Sequence, residues 1–402
     1  MTQARADGRP VSEKLLLNCA RPRSDTNDAA VAEIAGHPQI DWPELGRLAT
    51  QHNLLARTGR SLDRVGARVP ADLATLFQAA YLQTMAHNLL LTAALEHVLQ
   101  VLGAANVEVM ALKGAAWVPS VYDDAGLRDI GDLDLLVHPD DVHQAAAAIT
   151  AVGYAPGQHV EADHHHWPAL VRPDGLVSVE LHHHLGLPGT LLDFELDDMW
   201  ARSVPTSRDG AEVVIPAAED LLIHVALHFL GDRMFKPETG ALGQLADLAA
   251  LVDHLGPRLD WGQVVETGER HGIGPPLGLV LATTSQLLDV TVPAEAMTAL
   301  TPDLGLVDDF VHHAVLRSPA WMALAEVSGR FPSVRQLAPP NPRRWRPTRS
   351  ADRPPFALLS AYARWASAAA HVLAHPTDVR ERMAFDRNLT ATVEHRRHNG
   401  RQ

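Results

Sequence analysis

Apolar and polar positions follow two different periods along this chain, and the change between them divides it into parts. From Asp41 to about Leu102, apolar residues recur at the three- and four-residue spacing of amphipathic helices, with Asp41 as an N-cap and Pro43 in the first turn. Residues 1–38 are polar, show no such period and predict a flexible N-terminus. We therefore expect a helical subdomain over residues 39–104.

The pattern changes to short apolar runs in residues 105–215. Strand patterns occupy 107–112, 131–137, 164–172 and 175–185, and a helical pattern starts at Pro139. The turn sequence RPDG, at residues 172–175, indicates a hairpin between the last two strands. This middle part predicts an α+β unit with a small mixed sheet.

Helical periodicity returns in residues 216–330, where short loops separate amphipathic runs. Residues 331–355 are rich in Pro and Arg and predict an extended arm, and a last helical pattern covers 356–375. We assign 331–402 to this arm and terminal helix. The predicted fold class is α+β, with a small mixed β-sheet core flanked by N-terminal helices and a C-terminal α-helical bundle.

Composition narrows the classes of function. The 402 residues are 46% hydrophobic and 20% charged, as in ordinary globular proteins, and the Ala, Arg, Gly and Pro content suggests a bacterial source. A net charge of -14 argues against a dedicated surface for nucleic acid. Cys19 is the only cysteine, which excludes disulfides and a thiolate zinc site. No run of about 18 apolar residues is present, so we expect a cytoplasmic protein without membrane contact.

The strongest chemical signal is a pair of aspartates on one predicted strand. Asp132 and Asp134 are two residues apart and therefore share a face, while Leu133 and Leu135 lie on the other. Like charges this close repel each other and need a cation. Glu180, on a later strand of alternating pattern, supplies a third carboxylate. Three oxygen donors on neighbouring strands suit Mg²⁺, as one ion or two, with Mn²⁺ as a substitute.

Basic and small residues beside this strand suggest a site for phosphate. Lys113 and Gly114 lie where a strand turns into a helix, so a phosphate can approach the backbone and the helix N-terminus. Lys113 and Arg128 supply positive charge for it. Each also has a plainer interpretation: Lys113 as a solvated strand end, and Arg128 as the ion-pair partner of an adjacent aspartate such as Asp129.

Histidines add a competing hypothesis. Two triplets, 164–166 and 182–184, offer imidazoles on alternating strand positions, which would suit a histidine-based metal hydrolase. No third ligand has fitting spacing, and His182 shares the face of Glu180, so we expect it to line the site. His224 and His228 are four apart on a predicted helix; both predict core hydrogen bonding or a place in a substrate pocket.

Taken in order along the chain, these motifs resemble a known family. Glycine at a strand-to-helix turn, Asp-x-Asp on a strand and a later acid form the pattern of the DNA polymerase beta-like nucleotidyltransferase superfamily. The series LKG, Y, LRDIGDLDLLV, VELH, EDLLIHVALH and LADLAAL is more specifically similar to a bacterial family of uncharacterised nucleotidyltransferases. The resemblance covers about residues 41–293.

The resemblance implies a reaction and roles for the motif residues. It implies transfer of a nucleoside monophosphate, AMP from ATP, to an acceptor with Mg²⁺. Asp132 and Asp134 would be metal ligands and Glu180 the third carboxylate, and Gly114 with Ala115 would form the phosphate-binding turn. Ala115 departs from the superfamily, which has glycine or serine at this second position.

The acceptor stays open at this stage. Net acidity favours a small molecule or a peptide or protein hydroxyl over long nucleic acid. Two other classes remain: a catalytically inert relative that binds a nucleotide or a partner, and the histidine-based hydrolase. The catalytically inert relative stays an alternative because Ala115 stands where the superfamily has glycine or serine.

Overall fold

The structure is a computed structural model that describes residues 9–122, 124–157, 166–186, 196–208, 211–235 and 241–300, together with 307 and 311. Helices dominate both ends of the described chain. Their bounds are α1 Val11–Ala20, α2 Asp25–Ala35, α3 Trp42–Gln51, α4 Leu55–Arg64, α5 Ala71–Ala104, α6 Lys113–Val121, α7 Val142–Ala151, α8 Asp197–Ala201, α9 Ala218–Phe235, α10 Ala241–Leu255, α11 Trp261–Arg270, α12 Gly274–Leu288 and α13 Ala294–Ala299. Short 3₁₀ turns precede α7 and follow α10.

Seven short strands form one mixed sheet. They are β1 Met110–Ala111, β2 Leu133–Leu136, β3 Ala155–Pro156, β4 Leu170–Val171, β5 Ser178–His182, β6 Val204–Arg208 and β7 Ala211–Ile215. Their order across the sheet is β3-β4-β5-β2-β1-β7-β6. β2 runs parallel to β5 and antiparallel to β1, and β1 runs parallel to β7. The predicted α+β class with a mixed sheet between helices is therefore confirmed.

The two central strands are buried through their apolar residues. On β2, Leu133 and Leu135 are at most 1% exposed, and on β5 Val179 and Leu181 are fully buried. These residues alternate with the polar positions, so one side of each strand belongs to the hydrophobic core. The alternation anticipated from the sequence thus fixes which face of the sheet carries Asp134 and Glu180.

Helix α5 is the longest element and supports the segment that leads into β2. Its buried Asn88 donates hydrogen bonds to the carbonyl oxygens of Ala125, at 2.6 Å, and of Arg128, at 2.5 Å. The Asn88 side-chain oxygen accepts from the backbone N–H of Ile130 at 3.1 Å. The loop before β2 is thereby attached to α5 at three points. None of the described helices, α5 included, has a stretch both long and apolar enough to cross a membrane.

The N-terminal residues differ from the sequence-based expectation. The flexible segment predicted for residues 1–38 contains two helices, α1 and α2. On α1, Leu15, Leu16 and Leu17 are between 0% and 4% exposed, and the helix packs on α2, α3 and α4. The expectation was wrong because a short run of three leucines has no amphipathic period of its own, and its burial depends on helices formed later in the chain.

Strands near the end of the middle part were also missed. β6 and β7 form an antiparallel hairpin, and β7 joins the sheet through the pairing of Met110 with Val214. β6 includes Pro205 and polar residues, so its composition gave no strand signal. The predicted strand at 164–172 is described only from His166 onward, as a bridge to His182 and as β4. The predicted arm and terminal helix at 331–402 lie outside the described residues.

Candidate active site

The register of the two central parallel strands brings polar side chains together. Asp134 on β2 is the partner of Glu180 on β5, and Leu136 is the partner of His182. Paired residues of parallel strands share a face, and residues two apart on one strand share it too. Asp134, Glu180 and His182 therefore project from the same side of the sheet.

These three side chains form one compact donor group. Their ligating atoms all lie within 4.8 Å of one another. His182 Nε2 lies 2.8 Å from Asp134 Oδ1 and 3.7 Å from Glu180 Oε2. The side chains of His182 and Asp134 are 3% and 4% exposed, and that of Glu180 is 25% exposed. The group is thus buried at its base and open at Glu180.

The strand-to-helix turn contributes a cation to the same group. Lys113 Nζ donates to Asp134 Oδ1 at 2.7 Å, so this single oxygen accepts from both Lys113 and His182. The backbone N–H of Leu112 donates to the carbonyl oxygen of Asp134 at 3.0 Å, which fixes the turn to β2. Lys113 has a φ of 44°, in the left-handed region that non-glycine residues rarely adopt. Such strain is typical of functional sites.

Charge and burial set the protonation states of this group. Burial alone would raise the pKa of Asp134, but the Lys113 ammonium and the His182 hydrogen bond hold it well below its usual range. Burial lowers the pKa of Lys113, yet the Asp134 carboxylate outweighs it and the net shift is upward. Burial is also the main cause that lowers the pKa of His182, with Asp134 opposing it. An ionised Asp134 therefore faces a charged lysine and a neutral imidazole.

Asp132 lies beside this group but is not part of it. Burial raises the pKa of Asp132 to about 7, and the neighbouring charges of Asp134 and Glu180 and a hydrogen bond with Asp134 add to the rise. The compact donor set contains His182 in place of the first aspartate that the sequence motif suggested. In the sequence, the position of His182 two residues after Glu180 indicated that the two side chains share a strand face.

The donor chemistry fits a divalent cation. Carboxylate oxygens suit Mg²⁺ and Mn²⁺, while an imidazole nitrogen widens the range to softer ions such as Zn²⁺. Asp134 and Glu180 supply oxygens and His182 supplies a nitrogen, while Asp132 is hydrogen-bonded to Asp134 beside this group.

Gly114 and Arg128 meet at the N-terminus of α6. A Cβ atom on Gly114 would lie 2.7 Å from Arg128 Nη1 and 3.3 Å from Ile130 Cγ2, so only glycine fits without displacement. Ala115 is 3% exposed, which places its methyl group in the core and leaves only its backbone for any ligand. Lys113, Gly114, Ala115 and Arg128 thus lie together around one turn.

The two helical histidines differ in their accessibility. His224 is 1% exposed, and within the described part of the chain its Nδ1 has no hydrogen-bond partner. His228, one turn later on α9, is half-buried, and the two rings are 6.2 Å apart. Burial, followed by the charge of Lys113, lowers the pKa of His224 to about 3 and that of His228 well below its usual value. Both histidines are neutral neighbours of the site, and His228 is the one with access to solvent.

Asp247, which is distant in sequence from the strands of the site, also contacts residues of the site, and the sequence patterns did not predict this role. Asp247 on α10 accepts from Arg128 Nε at 2.9 Å and from the Tyr122 hydroxyl at 2.8 Å. Asp247 is 7% exposed. An acid among the apolar residues of LADLAAL was its only signal. His166 also reaches the site, where its ring lies 5.4 Å from that of His182, while His164 and His165 lie outside the described residues.

Comparison with protein families identifies the chain. A family described as "Uncharacterised nucleotidyltransferase" matches residues 38–289, well over half of the 402 residues. The chain belongs to this nucleotidyltransferase family. Comparison with curated proteins and with solved structures gives no match. The matched residues include β1, β2 and β5 and the helices α9 and α10, so they contain every side chain of the candidate site.

Membership in the nucleotidyltransferase family supports a role in nucleotidyl transfer in general. An NTP is the substrate that such a role requires. The carboxylate–histidine group is the arrangement in the structure that fits a divalent ion for this chemistry.

Proposed function

We propose that this nucleotidyltransferase transfers AMP from ATP to an acceptor hydroxyl with Mg²⁺ and releases pyrophosphate. The observation that carries the proposal is the meeting of two features at one point of the sheet. The first is the donor group Asp134, Glu180 and His182, and the second is the Lys113–Gly114 turn at the start of α6. A triphosphate with a divalent ion is a ligand that needs both.

Asp134, Glu180 and His182 would hold the cation, and the Asp-x-Asp motif adds Asp132 to this proposal as a further carboxylate. A bound divalent ion supplies charge stabilisation at the α-phosphate and the leaving pyrophosphate. His182 also holds Asp134 in place, since its Nε2 donates to the same oxygen that Lys113 contacts. Two donors on one carboxylate oxygen orient that side chain before any ligand arrives.

The turn would bind the β- and γ-phosphates. The backbone N–H groups at the start of α6 point toward an incoming anion, and the absence of a side chain on Gly114 permits close approach. The Arg128 guanidinium lies against Gly114 and adds charge-assisted hydrogen bonds to phosphate. Lys113 provides a second positive charge at the same end of the helix.

In the transfer step the acceptor oxygen forms a bond to the α-phosphorus as the bond to the bridging oxygen breaks. Pyrophosphate leaves with that oxygen along the turn, on the side of Lys113 and Arg128. The hydroxyl proton passes to a site carboxylate that is not bound to the cation. The acceptor would be a small molecule or a peptide or protein hydroxyl.

The proposal is tested by label transfer from ATP labelled at the α-phosphate. The purified chain is incubated with Mg²⁺ and fractionated small molecules and peptides, and labelled adducts and pyrophosphate are measured. We expect transfer by the wild type and a loss of at least a hundredfold in an Asp132→Asn/Asp134→Asn variant. Asp140→Asn is the matched control, because Asp140 is an exposed aspartate shortly after the same strand.

The other outcomes of this assay identify the alternatives. Binding of Mg²⁺–ATP without transfer to any fraction would indicate an inert nucleotide-binding relative. Zinc that copurifies with the chain and is lost in His182→Ala would indicate the histidine-based hydrolase. Transfer that persists in the double aspartate variant would contradict the proposed site.

A further inference from the structure

A buried polar network connects three separate stretches of the chain behind the phosphate turn. Arg57 on α4 donates from Nη1 to the hydroxyl of Tyr122 at 3.0 Å. That hydroxyl donates to Asp247 Oδ1 at 2.8 Å, and Arg128 Nε donates to Asp247 Oδ2 at 2.9 Å. Both oxygens of the Asp247 carboxylate are therefore engaged. We call these four residues the Asp247 network.

Burial of the charged groups of the Asp247 network costs free energy, so the presence of this network requires an explanation. Arg57, Tyr122 and Asp247 are 7% to 9% exposed, and the Arg128 side chain is 23% exposed. Removing charges from water costs free energy that their mutual attraction recovers only with good geometry. Apolar residues of similar size would stabilise such a position as well or better. A buried network of this kind is therefore weak evidence that its residues stabilise the fold. It is better evidence that they orient a side chain.

The orientation concerns the Arg128 guanidinium. Its backbone carbonyl is held by Asn88 at 2.5 Å, and its Nε is held by Asp247 at 2.9 Å. Its Nη1 lies at the Gly114 turn, where even a methyl group would be 2.7 Å away. Arg128 is thus fixed at both ends and directs one nitrogen toward the start of α6.

The charge of the network points to an anionic ligand. Two guanidinium groups and one carboxylate give the network a net positive charge, since Tyr122 is neutral: burial, followed by Asp247, raises its pKa. The Arg128 guanidinium, paired with Asp247 through Nε, directs Nη1 to the α6 N-terminus, where the helix dipole adds positive potential. A triphosphate in the turn would balance both.

We propose that Asp247 is a positioning residue for the nucleotide triphosphate: it holds Arg128 against the Gly114 turn, and Tyr122 and Arg57 hold Asp247. This inference rests on the proposed function, because it requires that the turn binds phosphate. α10 and α4, neither of which carries a residue of the donor group Asp134, Glu180 and His182, would thereby act in nucleotide recognition through Arg128.

The test compares phosphate-dependent and phosphate-independent binding. Mg²⁺–ATP, Mg²⁺–tripolyphosphate and adenosine are titrated calorimetrically into wild type and Asp247→Asn. We expect the affinities for ATP and tripolyphosphate to fall at least tenfold and the affinity for adenosine to change less than twofold. A purely structural role for Asp247 would not separate the ligands in this way.

Asp220→Asn is the matched control. Asp220 on α9 is also 7% exposed and is paired with an arginine, since Arg202 Nη2 lies 2.7 Å from its Oδ1. Both variants lose one buried carboxylate charge and are expected to unfold at a lower temperature. Only Asp247→Asn is expected to lose phosphate affinity.

Tyr122→Phe is a second variant for the same titrations, for use if Asp247→Asn fails to fold. It removes one hydrogen bond to Asp247 and retains the ring, and we expect a two- to fivefold loss for ATP and tripolyphosphate with adenosine unchanged. Wild-type phosphate affinity in both folded variants, or an equal loss for all three ligands, would overturn the inference. Wild type that binds neither ATP nor tripolyphosphate would instead overturn the proposed function, and the inference with it.

Discussion

At the scale of single residues, the site depends on one oxygen atom, Asp134 Oδ1. It accepts hydrogen bonds from Lys113 at 2.7 Å and from His182 at 2.8 Å. A cation held by Asp134 would therefore compete with the Lys113 ammonium for this oxygen, and a displaced lysine would then lie near the phosphates of the proposed nucleotide.

Replacing Lys113 is expected to change two affinities in opposite directions. In Lys113→Met, Mn²⁺ without nucleotide should bind about tenfold tighter, because a direct competing charge worth roughly 1.4 kcal/mol is removed. The affinity for Mg²⁺–ATP should fall, because a phosphate partner is lost. Electron paramagnetic resonance measures the first quantity and calorimetry the second.

Arg47→Met controls for the change in net charge, since Arg47 is 52% exposed on α3 and pairs with Glu44 at 2.6 Å. It should leave both affinities unchanged. If Lys113→Met weakened Mn²⁺ binding, the lysine would be supporting the metal ligands and the competition would be refuted.

His224 is expected to make the fold sensitive to acid. Burial, followed by the charge of Lys113, lowers its pKa to about 3, whereas an unfolded histidine titrates near pH 6.5. Below about pH 6.5 the unfolded chain gains a proton that the folded chain does not, so stability falls as pH falls toward 3. In His224→Leu this decline should be shallower by up to about 1.4 kcal/mol per pH unit.

Urea denaturation between pH 7 and pH 5 measures these slopes for wild type and variant. His97→Gln, a substitution at an exposed histidine on α5, is the control. A His224→Leu variant with the wild-type slope would show that His224 is protonated in the folded protein.

At the scale of elements, the turn between β1 and α6 has no room for a side chain at Gly114. A Cβ on Gly114 would meet the far end of Arg128, a side chain that can shift, at 2.7 Å. We expect Gly114→Ala to lower the free energy of unfolding by less than about 1 kcal/mol. The affinity for Mg²⁺–ATP should fall about tenfold, because the displaced guanidinium and the methyl group both obstruct the phosphates.

Gly131→Ala is the comparison for this substitution, because a Cβ there would have no heavy atom within 4 Å although the residue precedes Asp132 directly. Thermal unfolding and calorimetric titration on both variants separate stability from binding. Equal ATP affinity in Gly114→Ala and wild type would exclude the turn as the phosphate site.

The elements around the site also show which of its features the sequence could predict. The alternation of Asp132 to Leu136 and the glycine at the turn predicted a strand, a face and a helix start, because these are local properties. His182 could be assigned to the face of Glu180 for the same reason. Its approach to within 2.8 Å of Asp134 could not be predicted, because the pairing of β2 with β5 is a tertiary property.

Asp247 and Asn88 illustrate the same limit more strongly. Each is a polar residue in an apolar helix, and in isolation either could be a solvated position. Their function depends on Arg128, which lies 119 positions before Asp247 and 40 after Asn88. The leucines of α1 were misjudged for a related reason, since the helices that bury them follow later in the chain.

At the scale of the molecule, one hydrophobic cluster extends from Leu15 on α1 to Val311, beyond α13. The N-terminal and C-terminal helices approach closely at Gly243 on α10, where an added Cβ would lie 2.5 Å from the backbone carbonyl oxygen of His52. A backbone atom cannot move aside as a side chain can. The division into domains made from the sequence remains a prediction beside this shared core.

Gly243→Ala is therefore expected to destabilise the whole chain by about 1–3 kcal/mol, through forced separation of α10 from the end of α3. Gly103→Ala on α5, where no heavy atom lies within 4 Å of the added Cβ, should instead stabilise by up to about 1 kcal/mol. Differential scanning calorimetry of the two variants gives the comparison. A Gly243→Ala variant as stable as wild type would show that this approach is looser than described.

The parallel pairing of β2 with β5 has a consequence for tolerance to insertion. Asp134 and Glu180 are neighbours through backbone register, and the 41 residues between the two strands, 137–177, could lengthen or shorten without moving either carboxylate. One residue inserted inside β5 before Glu180 would rotate Glu180 and His182 into the core and bring apolar side chains to the site. The candidate site thus tolerates changes in the length of its connections but not a shift of one residue in its strands.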